Sequence, residues 1–331
     1  MSGLFSRLRP ARPAPTAPPA ARAPGTPPDL LEAERLAAAL PVLSLDTARI
    51  APRSGLGTHG RRQAGHGDSF WQYRPVLPGE PVTRIDWRQS ARSERAFVRE
   101  TEREAAQTVC LWCDPTPSMH WRSDPGLPRK SDRAALLALA AAAMALRAGE
   151  RARVLGPAGA TAATRQRLPV LAAALATLPA HATFPDTAFS DTPRDSLVLL
   201  FGDFLDPVEL WEHRLRTLIA RPAHALLVQV LDPAELELPW QGRVRFEGLE
   251  GEPALLVPRA GDLRAAYADA IAAHRAALAG TAARFGARLL LHRTDHPPET
   301  ALRTLHLALS GAPAIGGPGP QSPAGAGQRP A

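Results

Sequence analysis

Three oxygen-bearing side chains stand at alternate positions just past a short apolar run: Asp114, Thr116 and Ser118 in VCLWCDPTPSM (109–119). A further acid, Asp203, ends a second apolar run, SLVLLFG (196–202). These are hard oxygen donors. Two carboxylates brought close repel each other unless a proton or a cation lies between them. A set with few charges and several neutral oxygens suits Mg2+, which keeps part of its water shell; Mn2+ and Ca2+ are the alternatives. One coordination position is then left for an outside group. Taken alone, the 114–118 loop also reads as a turn whose side chains cap the next backbone amides.

For these residues to meet, their strands must be neighbours in one sheet. From Gln107 onward the pattern supports that. Apolar strands at Val109–Cys113, Arg153–Leu155, Ser196–Gly202, Ala225–Leu231 and Arg288–His292 alternate with helices. The helices are expected from Ser131 (as cap) to Arg147, over Val170–Leu178, from Asp206 (as cap) to Ala220, over Asp262–Phe285 and over Glu299–Leu309. Gly149 and Pro179 are expected helix stops, and Val244–Val257 a hairpin turning at Glu250-Gly251. Strands alternating with helices imply an α/β fold: a central, mostly parallel sheet covered on both faces. Ligands of such sheets bind beyond the carboxyl ends of the strands, where Asp114 and Asp203 fall. Upstream, Leu30–Leu40 reads as a short helix. The Gly- and Pro-punctuated block 55–104 reads as a small β-rich segment with strands at Ser69–Tyr73, Arg84–Trp87 and Ala96–Arg99, and a turn at Leu77-Pro78-Gly79-Glu80. The organisation expected is therefore a Pro/Arg-rich tail (1–28), a helix plus β-rich segment (29–106), an α/β domain (107–310) and a Gly/Pro/Ala tail (311–331), the tails being disordered.

The stretch PGEPVTRIDWRQSARSERAFVRETE, then a strand, then DPTPSM, resembles the DUF58 family of bacterial proteins. FGDFLDP (201–207) and LDPAELELP (231–239) resemble the family's later motifs. The resemblance implies a von Willebrand factor A-like, Rossmann-like domain preceded by a β-rich segment. It also implies a metal-ion-dependent adhesion site. In that reading Asp114, Thr116 and Ser118 form the first ligand loop, with Thr116 where the usual residue is Ser, and Asp203 is the later acid. Such sites add a Thr from an intervening loop, here Thr183 or Thr187. The implied role is non-enzymatic: a partner's carboxylate completes the metal, and the partner is a MoxR-type AAA+ ATPase or its client.

Composition narrows the alternatives. The chain has 331 residues and a net charge of +7, and of its 39 lysines and arginines only Lys130 is a lysine. Arg53–Arg99 holds nine arginines against four acids. That basic surface, with Arg84, Arg88 and Arg92, is a candidate face for an acidic partner. Nucleic-acid binding there, with Trp71, Tyr73 and Trp87 stacking bases, is one alternative function. The other rests on a resemblance: a strand ending in Asp114, then Gly202-Asp203 with Asp206 nearby, is similar to haloacid dehalogenase-type phosphohydrolases. That implies a Mg2+-dependent phosphohydrolase with Asp114 as nucleophile, a second acid wanted two residues on, where this chain has Thr116, and Lys130 as its lysine. The longest apolar run, Ala134–Leu146, has 13 residues, short of a membrane span, and no signal-peptide pattern is seen, so a cytoplasmic location is expected.

Two further patterns carry no chemistry on this reading. Cys110 and Cys113 spell C-x-x-C, but residues three apart on a strand point to opposite faces, so the thiols should not meet. His292, Asp295 and His296 read as a surface turn, and Asp86 as half of an ion pair with an arginine.

Overall fold

The computed structural model describes residues 8–10, 26–43, 64–77, 79–92, 95–102, 106–156, 159–178, 192–194, 196–220 and 223–310. The chain divides into two compact units, 52–107 and a larger one made of 1–51 with 108–331. Most of both expected tails lies outside the described residues, as do Thr183 and Thr187.

The chain opens with a three-residue strand, β1 (Leu8–Pro10), where a disordered tail was expected. Helix α1 (Leu30–Ala38) follows, its first turn capped by the Asp29 carboxylate, which accepts from the amides of Leu31 and Glu32. Its Ala33, Leu36 and Ala37 are buried in the core of the larger unit. The helix therefore belongs to the α/β unit, not to the β-rich segment with which the sequence grouped it.

The smaller unit is built on β2 (Ala64–Pro75), the four-residue helix α2 (Trp87–Ser90) and β3 (Phe97–Glu102), with β2 and β3 antiparallel. The 77–80 turn forms as expected: Glu80 N donates to Leu77 O at 3.2 Å and Gly79 adopts φ +94°. Arg84–Trp87 is not a strand. Only Ile85 makes a bridge, to Val98, because Asp86 starts a helix instead. Its Oδ1 accepts from the amides of Arg88 (3.1 Å) and Gln89 (3.0 Å). That is an N-cap, the role short polar side chains fill best, in place of the expected ion pair.

The larger unit runs β4 (Thr108–Cys113), α3 (Lys130–Arg147), β5 (Arg151–Val154), β6 (Thr161–Ala162), α4 (Leu168–Ala176) and β7 (Ser196–Gly202). It continues α5 (Val208–Ile219), β8 (Ala223–Leu231), α6 (Pro233–Glu237), β9 (Val244–Gly248) and β10 (Leu255–Val257). Helix α7 (Arg264–Arg284), β11 (Arg288–Arg293) and α8 (Pro298–Leu309) complete it. Six strands form one sheet in the order β11-β8-β7-β4-β5-β6, parallel except for β6. The β9–β10 hairpin forms as expected and pairs with β1 in a separate three-stranded sheet.

Alternation along the strands fills both faces of the sheet. Val109, Leu111, Cys113, Leu197, Leu199 and Phe201 pack with α1, α3, α4 and α8. Cys110, Trp112, Val198 and Leu200 pack on the other side with Trp211 and Leu215 of α5 and with Leu278 and Ala282 of α7. The α/β class and helix-covered sheet are as the sequence implied. Two caps differ. Helix α3 begins at Lys130 with Arg129 as its cap residue, and Ser131 lies inside the helix with its hydroxyl 3.1 Å from His120 Nδ1. Asp206 does not cap α5: its carboxylate accepts from Arg214 at 3.3 Å.

Candidate metal and ion cluster at the carboxyl edge of the sheet

The chain enters the sheet at β4, builds β5 and β6 on one side, and returns to β7 on the other. The β4–β7 boundary is thus the switch point where such sheets bind ligands. Cys113 is registered against Phe201, and the amide of Asp114 donates to Phe201 O at 2.8 Å. Asp114 and Asp203 therefore leave adjacent strands at the same level. The next strand, β8, also ends in an acid, Asp232, so three neighbouring strands deliver three aspartates to one edge.

The 114–118 loop is folded by its own polar groups. Asp114 Oδ1 accepts from Thr116 N at 2.9 Å, and the loop closes in a 3-10 turn, Pro117–His120. Thr116 Oγ1 lies 3.0 Å from Ser118 Oγ, and Ser118 Oγ donates to Asp203 Oδ2 at 2.9 Å. Asp114, Ser118 and Asp203 are all buried. The Asp203 backbone is clamped from the next strand: its carbonyl accepts from Gln229 Nε2 at 2.8 Å, and Arg275 Nε donates to Gln229 Oε1. Phe204, just beyond it, holds a left-handed φ of +50°, fixed by a ring wholly buried against Trp211. A non-glycine residue in this region stores about 1–3 kcal/mol and persists only where its surroundings hold it.

The sequence offered Lys130 only as the lysine of a phosphohydrolase; its pairing with Asp203 and Glu235 was missed. The chain's single lysine, Lys130, has no solvent exposure. Its ammonium donates to Asp203 Oδ2 at 2.9 Å and to Glu235 Oε1 at 2.5 Å. The Lys130 amide is tied to the preceding loop through Trp121 O at 3.4 Å. Glu235 is presented by α6, whose N-terminus is a reciprocal capping box: the Asp232 carboxylate accepts from Ala234 N and the Glu235 carboxylate from Asp232 N. The other Asp232 oxygen accepts from Ser123 N at 2.8 Å, tying α6 to the loop after Ser118. The signals that were available are the lone lysine and the D-P-A-E capping pattern at 232–235.

The electrostatics follow from burial. Burial, then the charge of Asp203, raises the Asp114 carboxyl to about 6, against the hydrogen bonds from Thr116. Burial raises Glu235 to about 7, with Lys130 acting in the other direction. For Lys130 burial favours the neutral amine, but Asp203 and Glu235 together reverse this and hold the ammonium protonated. In their ionised forms Asp114, Asp203 and Glu235 carry three negative charges against the one of Lys130.

Asp114, Thr116, Ser118 and Asp203 are hard oxygen donors, the chemistry a small divalent cation takes. The 3.0 Å between the Thr116 and Ser118 hydroxyl oxygens is a hydrogen bond between them. Among the described residues no three His, Cys, Asp or Glu side chains form a metal cluster, so the set rests on hydroxyls together with Asp114 and Asp203. An open apolar pocket adjoins Glu235. Trp121, Trp240, Phe246, Tyr267 and Leu263 line it, and the Tyr267 hydroxyl donates to Glu235 O at 2.6 Å.

The remaining candidates fall elsewhere. Arg84 ends the 3-10 turn Val82–Arg84, Arg88 lies on α2 and Arg92 just after it, the last two exposed, all in the smaller unit. Trp87 there is 62% exposed, so it is not core. Cys110 and Cys113 sit on opposite faces of the sheet as spacing implied, and burial raises both thiols, Cys110 to about 11. His292 is buried, with its Nε2 3.3 Å from Arg133 Nη1, so only the later part of 292–296 is a surface turn.

A family model described as "Protein of unknown function DUF58" matches residues 72–277. Uncharacterized proteins of Mycobacterium bovis and Mycobacterium tuberculosis are each 30% identical to this chain over 290 residues, covering 81% of it and 89% of their own length. An uncharacterized protein of Mycobacterium avium is 36% identical over 102 residues, 31% of this chain and 59% of its own. Among solved structures, the crystal structure of the conserved hypothetical protein BatB from Bacteroides thetaiotaomicron is similar at 13% identity and a TM-score of 0.36. That match covers 62% of this chain and 98% of that one.

Proposed function

The chain belongs to the DUF58 family, and we propose that it is a non-enzymatic protein-interaction module that binds its partner through a Mg2+-dependent site at the carboxyl edge of the sheet. The carrying observation is the chain of oxygens Thr116 Oγ1, Ser118 Oγ and Asp203 Oδ2, joined at 3.0 and 2.9 Å from two neighbouring strand ends. Thr116 and Ser118 supply hydroxyl ligands, and Asp114 and Asp203 supply the charge. When bound, Mg2+ supplies an open position for a carboxylate of the partner. Asp203 is kept in place by Ser118 and by the clamp from Gln229 on its carbonyl, which lowers the ordering cost a partner would meet. The aromatic-lined pocket beside Glu235 adds apolar contact area that a lone carboxylate lacks. The partner this reading favours is a MoxR-like AAA+ ATPase or the client it remodels.

The test is capture of partners from native lysate on the immobilised full chain, with Mg2+ and with EDTA, and with Asp114→Ala. Capture that needs Mg2+ and Asp114 supports the reading. Capture unchanged by EDTA overturns its metal part.

One observation favours a second reading, phosphoryl transfer: the Lys130 ammonium is brought onto Asp203, at the edge where Asp114 would be the nucleophile. Against it, the residue two past Asp114 is Thr116, which is no general acid, and Lys130 is engaged with two acids. Turnover of an aryl phosphate with Mg2+, lost in Asp114→Asn, would favour this reading over the first.

A further inference from the structure

The chain's one lysine is fully buried between acids delivered by two different elements. Asp203 follows β7, and Glu235 lies on α6. Arginine supplies every other basic side chain. The difference is physical: a guanidinium is a planar fork with five donors, whereas an ammonium is a compact point charge on a flexible stem. Its position is also specific. Asp203 Oδ2, which accepts the Ser118 hydroxyl, is the same oxygen that accepts Lys130.

We propose that Lys130 is an internal rival of the divalent cation, setting how tightly the site takes Mg2+ by holding Asp203 with a tethered positive charge. This inference rests on the metal reading above and adds the residue that limits it. Two like charges sharing one carboxylate repel, and in a buried setting that repulsion is poorly screened. While Lys130 holds Asp203, the acid is neutralised and the edge is stable without metal. For the cation to use Asp203 fully, the ammonium must loosen that bond. Its bond to Glu235 gives it a second anchor, so the charge is not stranded. Glu235 is also the wall of the aromatic pocket, and Tyr267 bonds its carbonyl. A shift of the ammonium toward Glu235 therefore links cation entry to the surface a partner would cover.

The experiment is Mg2+ titration of the full chain by calorimetry, with melting temperature followed in parallel, for wild type, Lys130→Met, Lys130→Gln and Lys130→Arg. Removing the charge is expected to tighten Mg2+ binding by about tenfold or more. Lys130→Arg keeps the charge and is expected not to tighten it, a distinction that a merely space-filling role would not produce. If Met and Gln variants are unfolded without metal, Mg2+-dependent recovery of their melting transition, absent with Na+ at equal ionic strength, supports the proposal. Lack of recovery overturns it. If wild type shows no binding and Lys130→Met binds, the proposal is supported in its strongest form. If wild type binds and the Met and Gln variants bind no tighter, the rivalry is overturned while the metal site stands. If no form binds Mg2+, the metal reading falls and the rivalry falls with it.

Discussion

Gly202 faces the side chain of Asp114 so closely that a Cβ on it would sit 3.1 Å from Asp114 Cβ and 3.3 Å from Asp114 Oδ2. The glycine is not needed for an unusual backbone; it is needed for room. A side chain at position 202 could be taken in only if Asp114, or the Phe204 ring 3.3 Å away, gave way.

Gly202→Ala should therefore push Asp114 or the Phe204 ring aside by a few tenths of an ångström. Overpacking of this kind costs about 1–3 kcal/mol. The expected result is a lowered melting temperature together with weaker Mg2+ binding. Wild-type Mg2+ affinity in a folded Gly202→Ala protein would argue that Asp114 has not moved or is not part of the site.

Asp232 is wholly buried and spends its carboxylate on the amides of Ala234 and Ser123. Asp232→Ala leaves both amides without their acceptor. The expected cost is about 1–3 kcal/mol, read as a lower urea midpoint at unchanged slope. Because Glu235 is aimed by the same capping box, Mg2+ binding should change as well.

His292 gives a pH dependence with a definite sign. Burial, then the charges of Arg133 and His296, lowers its pKa from the usual 6.5 to about 3. Between those values the unfolded chain binds a proton that the folded chain does not. The contribution of His292 is thus complete above about pH 6.5 and is lost progressively as pH falls toward 3. His292→Gln should melt with a shallower decline than wild type between pH 7 and pH 4.5, measured in the same buffers.

Cys110 and Cys113 should behave as inert core residues. Facing opposite sides of the sheet and pushed toward the neutral thiol by burial, they should resist alkylation in the native protein and react only in denaturant. Zinc uptake that protects them from alkylation would contradict this.

How much of this was legible in the sequence depends on range. Ser196–Gly202 coincides with β7, and Val109–Cys113 lies within β4, because unbroken apolar runs bounded by polar loops are what a covered parallel strand requires. Asp114 and Asp203 could be expected to meet only on condition that their strands are neighbours, which the β4–β7 pairing satisfies. The grouping of Thr116 and Ser118 with Asp203 came from the family resemblance, and the Ser118–Asp203 hydrogen bond could not be read from spacing. Local capping was misjudged at Ser131 and Asp206, where a tertiary partner outcompeted the nearest backbone amides: His120 for one, Arg214 for the other. Arg84–Trp87 failed for the reverse reason, as the Asp86 cap outweighed β-forming neighbours. The Lys130–Glu235 pair spans 105 residues and leaves no periodic trace. The rarity of lysine and the capping pattern at 232–235 pointed there, but the lysine was weighed as that of a phosphohydrolase, not as the partner of Glu235.

That rarity has a practical consequence. Lys130 carries the only side-chain amine of the protein, and it is sealed from solvent. Acylating reagents and amine cross-linkers will find no lysine on the native surface. Labelling at Lys130 requires the β4–β7 edge to open, so its rate is a clock for that opening, read in a single peptide by mass spectrometry. A bound ion or partner that closes the edge should slow the clock; a variant that loosens it should speed it up.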